Sequence, residues 1–241
     1  MFDLHVNSSF SLFLNKVCDP HRLKRLSSIR KEAKKLDDHT AGNDYEVEKE
    51  KGCLIYSIGS EGDFQFEAGM HEVLGEEDAC EIHTFDFGNY ASKAPKNMNI
   101  HYHQWGLKAS DDKSPKSDEY LSLAEIVKEL GHENRTIDVF KIDCENCEWS
   151  TVKDWFGPDV PMIQQILVET HGVPIVLDRT PLSFFNYILD AGYVMFHKEP
   201  NIQFAKGSCI EFGFLKLHDD FFVDVDIMRD NEKLEEEVEV E

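Results

Sequence analysis

A chain of 241 residues with 41% hydrophobic and 30% charged residues has the size and make-up of one large folded domain rather than two small ones. No apolar run approaches the roughly 20 residues of a membrane span. No segment has the layout of a secretory signal either, so no integral membrane segment is expected and the form given is read as cytoplasmic. A net charge of −22 excludes a broad electrostatic grip on nucleic acid, because phosphate binding needs a surplus of Lys and Arg.

Asp19-Pro20 reads as an N-cap followed by a first helical position. Leu23, Leu26, Ile29, Ala33 and Leu36 then recur at helical spacing, with Lys and Arg on the other face. Residues 1–51 are therefore expected to be a basic amphipathic helix and a polar linker. Residues 52–218 form the main domain and 219–241 an acidic tail, with eleven acids against Arg229 and Lys233.

Leu54 to Ile58 is the first strand, and Gly59-Ser60-Glu61-Gly62-Asp63 a tight loop whose Asp63 caps a helix running to about Gly75. Cys80 to Phe85 is the second strand, ended by Asp86, and Ile100 to His103 a short third. Residues 108–119 read as a surface loop. Ser122 and Glu125 form a capping box, Leu121 and Ile126 a hydrophobic staple, and Gly131 a stop. The helix between them leads into the central strand, Ile137 to Asp143. A short helix beyond Trp149 ends at Gly157-Pro158. Ile163 to Val168 is the fifth strand, closing on Glu169-Thr170-His171, and Thr180-Pro181 opens a helix that Gly192 ends. Tyr193 to His197 and Cys209 to Leu217 follow as an antiparallel pair. Five alternating strands and helices finished by a hairpin predict a doubly wound, mostly parallel α/β sheet of seven strands.

Asp143, Glu145 and Glu148 fall at or just beyond the carboxyl end of the central strand, the edge where ligands sit in open α/β sheets. The Gly59-x-x-Gly62 loop permits positive φ and close backbone approach to a ligand. Asp86 ends the second strand 24 residues after Gly62, and an acid about 20 residues on is placed to accept from ribose hydroxyls. Together they predict an adenosine-type cofactor. Glu61, where a dinucleotide site wants glycine, repels a pyrophosphate and suits an ammonium or sulfonium. A nicotinamide dehydrogenase therefore ranks below the other readings. Six cysteines include one close pair, Cys144-x-x-Cys147. Without a second pair or flanking histidines this favours a structural or free thiol role over zinc.

Ile55-Tyr56-Ser57-Ile58-Gly59, His83-Thr84-Phe85-Asp86, Trp105-Gly106-Leu107, Lys141 to Trp149 and Leu167 to His171, in that order, resemble the FkbM-related S-adenosylmethionine-dependent methyltransferases. The likeness is greatest to the methyltransferase-like protein twenty-four domain and spans about Cys53 to Leu217. It implies a class I methyltransferase fold, a Rossmann-like three-layer sandwich, with S-adenosyl-L-methionine as cofactor. Gly59, Ser60, Glu61 and Gly62 would lie beside its methionine part, Asp86 on the ribose, and Phe87, Gln104, Trp105, Gly106 and Leu107 near the adenine. Asn146 departs from the family pattern, which has Gly there, yet Asn tolerates a left-handed conformation.

The candidate catalytic residues are Asp143, His171 and Glu145. Asp143 would lie near the methyl donor, and His171, with an ordinary pKa near ~6.5, could deprotonate an acceptor hydroxyl. Glu145 and Glu148 could instead pair with amides of the following helix. The resemblance supplies the substrate class, a small hydroxylated or sugar-like methyl acceptor. Two other readings stand beside it. One is a metal-dependent hydrolase or metal-assisted methyltransferase, drawing on His101 and His103, one strand repeat apart, and on Asp143, Glu145, Glu169 and His171. The other is a non-catalytic binding module. No compact metal motif is present in the sequence.

Overall fold

The computed structural model describes residues 52–74, 80–113, 119–172, 180–202 and 208–217. The expected amphipathic helix and acidic tail lie outside the described residues.

In chain order the elements are β1 (Leu54–Ile58), α1 (Gln65–Leu74), β2 (Glu81–Phe85), β3 (Ile100–His103), β4 (Gly106–Leu107), β5 (Tyr120–Leu121), α2 (Leu123–Glu129) and β6 (Ile137–Ile142). Then follow α3 (Cys147–Thr151), a 3-10 turn (Val152–Asp154), β7 (Ile163–His171), α4 (Pro181–Asp190), β8 (Tyr193–Pro200) and β9 (Cys209–Lys216). Seven strands make one sheet in the order β3-β2-β1-β6-β7-β9-β8. The pairs up to β6–β7 are parallel, and β9 runs antiparallel to both β7 and β8. This is the expected class I methyltransferase architecture.

Local chemistry explains each element. β1 is buried over its whole length, as a central parallel strand of Leu, Ile and Tyr must be. Asp63 Oδ1 accepts from the Gln65 amide at 3.0 Å at the start of α1. α2 carries its full capping box, Ser122 accepting from the Glu125 amide and Glu125 from that of Ser122, and Gly131 follows at φ 67°. α4 starts on Thr180-Pro181.

One face of the sheet packs on α2, α3, the 3-10 turn and α4 through a large core that includes Tyr56, Phe85, Phe140, Trp155, Phe184 and Phe214. Among the described residues α1 is the helix on the opposite face, where Phe66 and Met70 cover Ile55, Ile82, Val139 and Leu167.

Four details differ from the expectation. Residues 106–107, expected as part of a turn, pair with 120–121 as a small separate parallel ladder. The helix after the central strand begins at Cys147, two residues before Trp149. β7 continues without a break through His171 because β9 pairs along its outer edge, joining His171 to Cys209. Finally, β8 runs three residues past its expected end at His197, to Pro200. Among the described cysteines, Cys53 is bonded to Cys80 and Cys144 to Cys147, a structural role for the close pair, while Cys209 is free. Among the described residues, no helix is long and apolar enough to cross a membrane.

Candidate active site

The order of strands reverses between β1 and β6, and a crevice opens at such a switch point beyond the carboxyl ends of the strands. The chain brings the loops after β1 and β6 together there. Gly59 N–H donates to Phe85 O at 2.8 Å and Asp143 N–H to Ile58 O at 3.0 Å. Gly59 lies at φ 78°, and a Cβ on it would collide with the Asp143 carbonyl. Only glycine allows these backbones to approach so closely. Lys141, buried beneath, donates from Nζ to Gly59 O at 2.5 Å and stands 3.6 Å from Asp143 Oδ2, so one cation ties the two loops. Its role was not legible in the sequence, where it is simply the fifth residue of an apolar strand.

The residues expected to hold a cofactor lie in the loops that follow β1, β2 and β3. Asp86 is only 8% exposed. Its Oδ2 accepts from the Ser60 and Glu61 amides at 3.0 and 2.8 Å, and its Oδ1 from the Gly88 amide at 2.8 Å. The carboxylate therefore spans two loops, and a ribose would meet only its remaining lone pairs. Glu61 takes φ 49° between Gly59 and Gly62 and points its carboxylate to solvent. Phe87 is 60% exposed and stacks on Tyr120 with centroids 5.8 Å apart. Gln104 Nε2 donates to Phe87 O at 3.3 Å. Trp105 turns inward instead, stacking on His103 at 4.7 Å, and Leu107 is buried with Gly106 packed beneath Tyr120.

His101 and His103 do share a face, but as part of an aromatic stack. Both lie over His83, with centroids 4.9 and 5.0 Å away. His83 Nδ1 pairs with His103 Nε2 at 2.8 Å and its Nε2 with Glu81 at 3.1 Å, so both of its nitrogens are engaged. Burial pulls His83 and His103 down to about 4. Burial alone would raise Glu81, but bonds from Arg135 and His83 bring it down to about 2.

Asp143, Glu145 and His171 come together as expected. The disulfide between Cys144 and Cys147 closes a short loop in which Glu145 and Asn146 take φ 55° and 88°. Asn146 thus adopts the left-handed conformation expected of the residue replacing Gly. His171 is held rigidly. Its carbonyl accepts from Trp149 Nε1 at 3.0 Å, and its own amide donates to Glu148 Oε1 at 2.7 Å. Glu148, fully buried, also stands 3.3 Å from His171 Nδ1. It therefore serves His171 rather than amides of its own helix, because the short α3 leads its side chain inward against the end of β7. The ring's Nε2 faces Asp143 Oδ1 at 3.5 Å and Glu145 Oε1 at 3.6 Å. Burial by itself would lower the imidazole, but the bond to Glu148 and the charges of Glu148, Asp143 and Glu145 push it up to about 9. In the ligand-free chain the ring is thus a cation at neutral pH, not the free base that an ordinary histidine would offer.

Pairing across the sheet extends the acidic cluster beyond what the sequence indicates. Ile142 pairs with Val168, which sets Asp143 beside Glu169; Glu169 pairs with Glu211 and Glu211 with Glu199. Four acids therefore form a row across β6, β7, β9 and β8. Burial, then the charges of Glu169, Glu199 and Asp143, push Glu211 up to about 8. Burial and Asp143 raise Glu169 in the same direction. Away from this edge, a separate pocket of about 280 Å³, lined by polar as well as apolar surface, lies among Trp155, Phe156, Met162 and Tyr193 near the amino ends of β7 and β8.

The sequence profile of a family described as a methyltransferase domain matches residues 14–216. No curated protein matches the chain. Among solved structures the chain is similar to the 1,6-didemethyltoxoflavin-N1-methyltransferase of Burkholderia thailandensis, determined with 1,6-didemethyltoxoflavin and S-adenosylhomocysteine bound. Identity is 10%, the TM-score 0.42, and the match covers 90% of this chain and 93% of that one. It is also similar to a candidate RNA methyltransferase of Pyrococcus horikoshii, with 9% identity, a TM-score of 0.37 and coverage of 70% and 76%. A third is the 16S rRNA methylase ArmA, with 10% identity, a TM-score of 0.32 and coverage of 69% and 76%.

Proposed function

The chain belongs to this methyltransferase-domain family, and from that premise we propose that it transfers a methyl group from S-adenosylmethionine to an oxygen of a small hydroxylated or sugar-like acceptor. Within the family we group it with the FkbM-related enzymes, on the five motifs from Ile55 to His171. The observation that carries the reading is the meeting of the Gly59–Gly62 loop with Asp143 at the switch point, which sets a cofactor loop against a polar cluster.

The residues present suit the cofactor. Gly59 and Gly62 give the first loop two positive-φ positions, Phe87 offers an exposed aromatic face, and the surrounding carboxylates favour a sulfonium over a phosphate. S-adenosylmethionine would supply an electrophilic methyl group. The protein's share is alignment of the acceptor and management of its proton. With His171 held as a cation, Asp143 is the group we assign to take the acceptor's proton, and His171 and Lys141 orient its carboxylate. Asp143 and the exposed Glu145 repel anionic acceptors, which favours a neutral small molecule over a nucleic acid. Two disulfides lead us to place the reaction in an oxidising compartment.

Calorimetric titration of S-adenosylhomocysteine into the wild type and Phe87→Ala, with NADH as control, tests the reading. Saturable binding, weakened about tenfold by loss of one aromatic contact, is expected, with no response to NADH. Folded wild-type protein that binds no sulfur nucleoside would overturn it.

A further inference from the structure

We propose that Asp143, Glu145 and His171 bind a divalent cation of the manganese and zinc class, with His171 Nε2 and one oxygen of each carboxylate as ligands. The three ligand atoms lie within 4.8 Å of one another. Nε2 is 3.5 Å from Asp143 Oδ1 and 3.6 Å from Glu145 Oε1, too long for good hydrogen bonds. An ion about 2.1 Å from each ligand sets neighbouring ligand atoms roughly 3.0–3.4 Å apart, so a small closure of the site completes the geometry.

The far side of the ring is arranged as metal-ligating histidines are. Glu148 Oε1, fully buried, takes the Nδ1 proton and the backbone amide of the same residue. This directs Nε2 at the two carboxylates, where a bound ion would displace its proton, in the carboxylate–histidine–metal arrangement that fixes tautomer and ring orientation. Lys141 occupies the Oδ2 side of Asp143 and leaves Oδ1 facing the histidine.

A second observation is independent of these three residues. Glu211 is 7% exposed and its Oε2 has no hydrogen-bond partner. It stands opposite Glu169 across β7 and β9, on the face that carries His171. A buried, unpartnered carboxyl group beside other acids either keeps a proton or shares a cation, and a cation bound nearby would release that proton. A nitrogen with two carboxylates suits manganese or zinc better than calcium, which prefers an all-oxygen shell. A second set, Glu169, His171 and Cys209, shares the histidine and offers a thiol that favours zinc.

The ion's chemical role rests on the methyl-transfer reading: it would take the acceptor's oxygen as a further ligand and make its hydroxyl more acidic. Its binding does not, so binding is measured without nucleoside. Manganese is titrated into the oxidised chain under calorimetry and electron paramagnetic resonance, and zinc is then added as competitor. One manganese per chain is expected, with binding at least tenfold weaker in Glu145→Gln, whose exposed side chain is not needed for folding. Binding is expected to be lost in His171→Gln and unchanged in Cys209→Ser. Absence of saturable binding, or wild-type binding in Glu145→Gln, overturns the site. Loss of binding in Cys209→Ser with Glu145→Gln unaffected overturns it too, by moving the ion to the thiol set. Manganese binding without nucleoside binding leaves the site standing and removes the methyl-transfer reading; the converse result does the opposite.

Discussion

Replacing Asp86 by Asn tests whether the first loop is built by this carboxylate. The buried carboxylate accepts three backbone amides, from Ser60, Glu61 and Gly88. An asparagine oxygen can keep the two bonds to Ser60 and Glu61, but its NH2 group then faces the Gly88 amide, donor against donor. One charge-assisted bond, about 1.5–3 kcal/mol, is lost and the other two lose their charge. The expected destabilisation is about 2–4 kcal/mol, or a fall of roughly 5–15 °C in Tm at this size. Thermal unfolding followed by circular dichroism measures it without any ligand, and S-adenosylhomocysteine affinity should fall with it because the loop loses its shape. A variant melting within about 1 °C of the wild type would refute the assignment and return Asp86 to a group reserved for ribose.

The histidine stack predicts an acid-sensitive fold. The folded-state pKa of His83 and His103, about 4, lies below the unfolded value of 6.5, so the unfolded chain takes up protons first. Stability is full above about pH 6.5 and is lost as pH falls toward 4, by a few kcal/mol at most once the shared hydrogen bond is allowed for; ring signals of both histidines titrating near 6.5 in NMR spectra would sink this. Joining Cys53 and Cys80, 27 residues apart, removes loop entropy worth about 3.5 kcal/mol on the chain-entropy relation. The double variant Cys53→Ser, Cys80→Ser should therefore unfold at clearly lower denaturant, and an unchanged midpoint would show that the bond contributes nothing to the folded chain.

Much of the fold was legible because its cues are local. β1 has the bounds its apolar run suggested, Ser122 and Glu125 form their capping box, and Thr180-Pro181 starts its helix. These depend on residues within one turn or one strand, where spacing and capping chemistry decide. The same holds for the glycines of the first loop and for Asp143 at the end of a central strand. The alternation of strands and helices then leaves few sheet orders open.

What the sequence by itself determined is thus the elements, their order and the edge of the sheet that carries the polar residues. Only the tertiary structure decided which of those residues share an atom's surroundings. Glu211 looks like an ordinary strand acid, and Glu199 lies past the expected strand end, until the register of β9 sets both in line with Glu169 and Asp143. Asp86 reads as a ribose acceptor until folding brings three amides to its oxygens. His171 reads as an ordinary base until Glu148, 23 positions earlier, closes on its Nδ1. Hydrogen bonds and charge couplings act over a few ångströms of space whatever the distance along the chain, so register and packing set them and composition cannot.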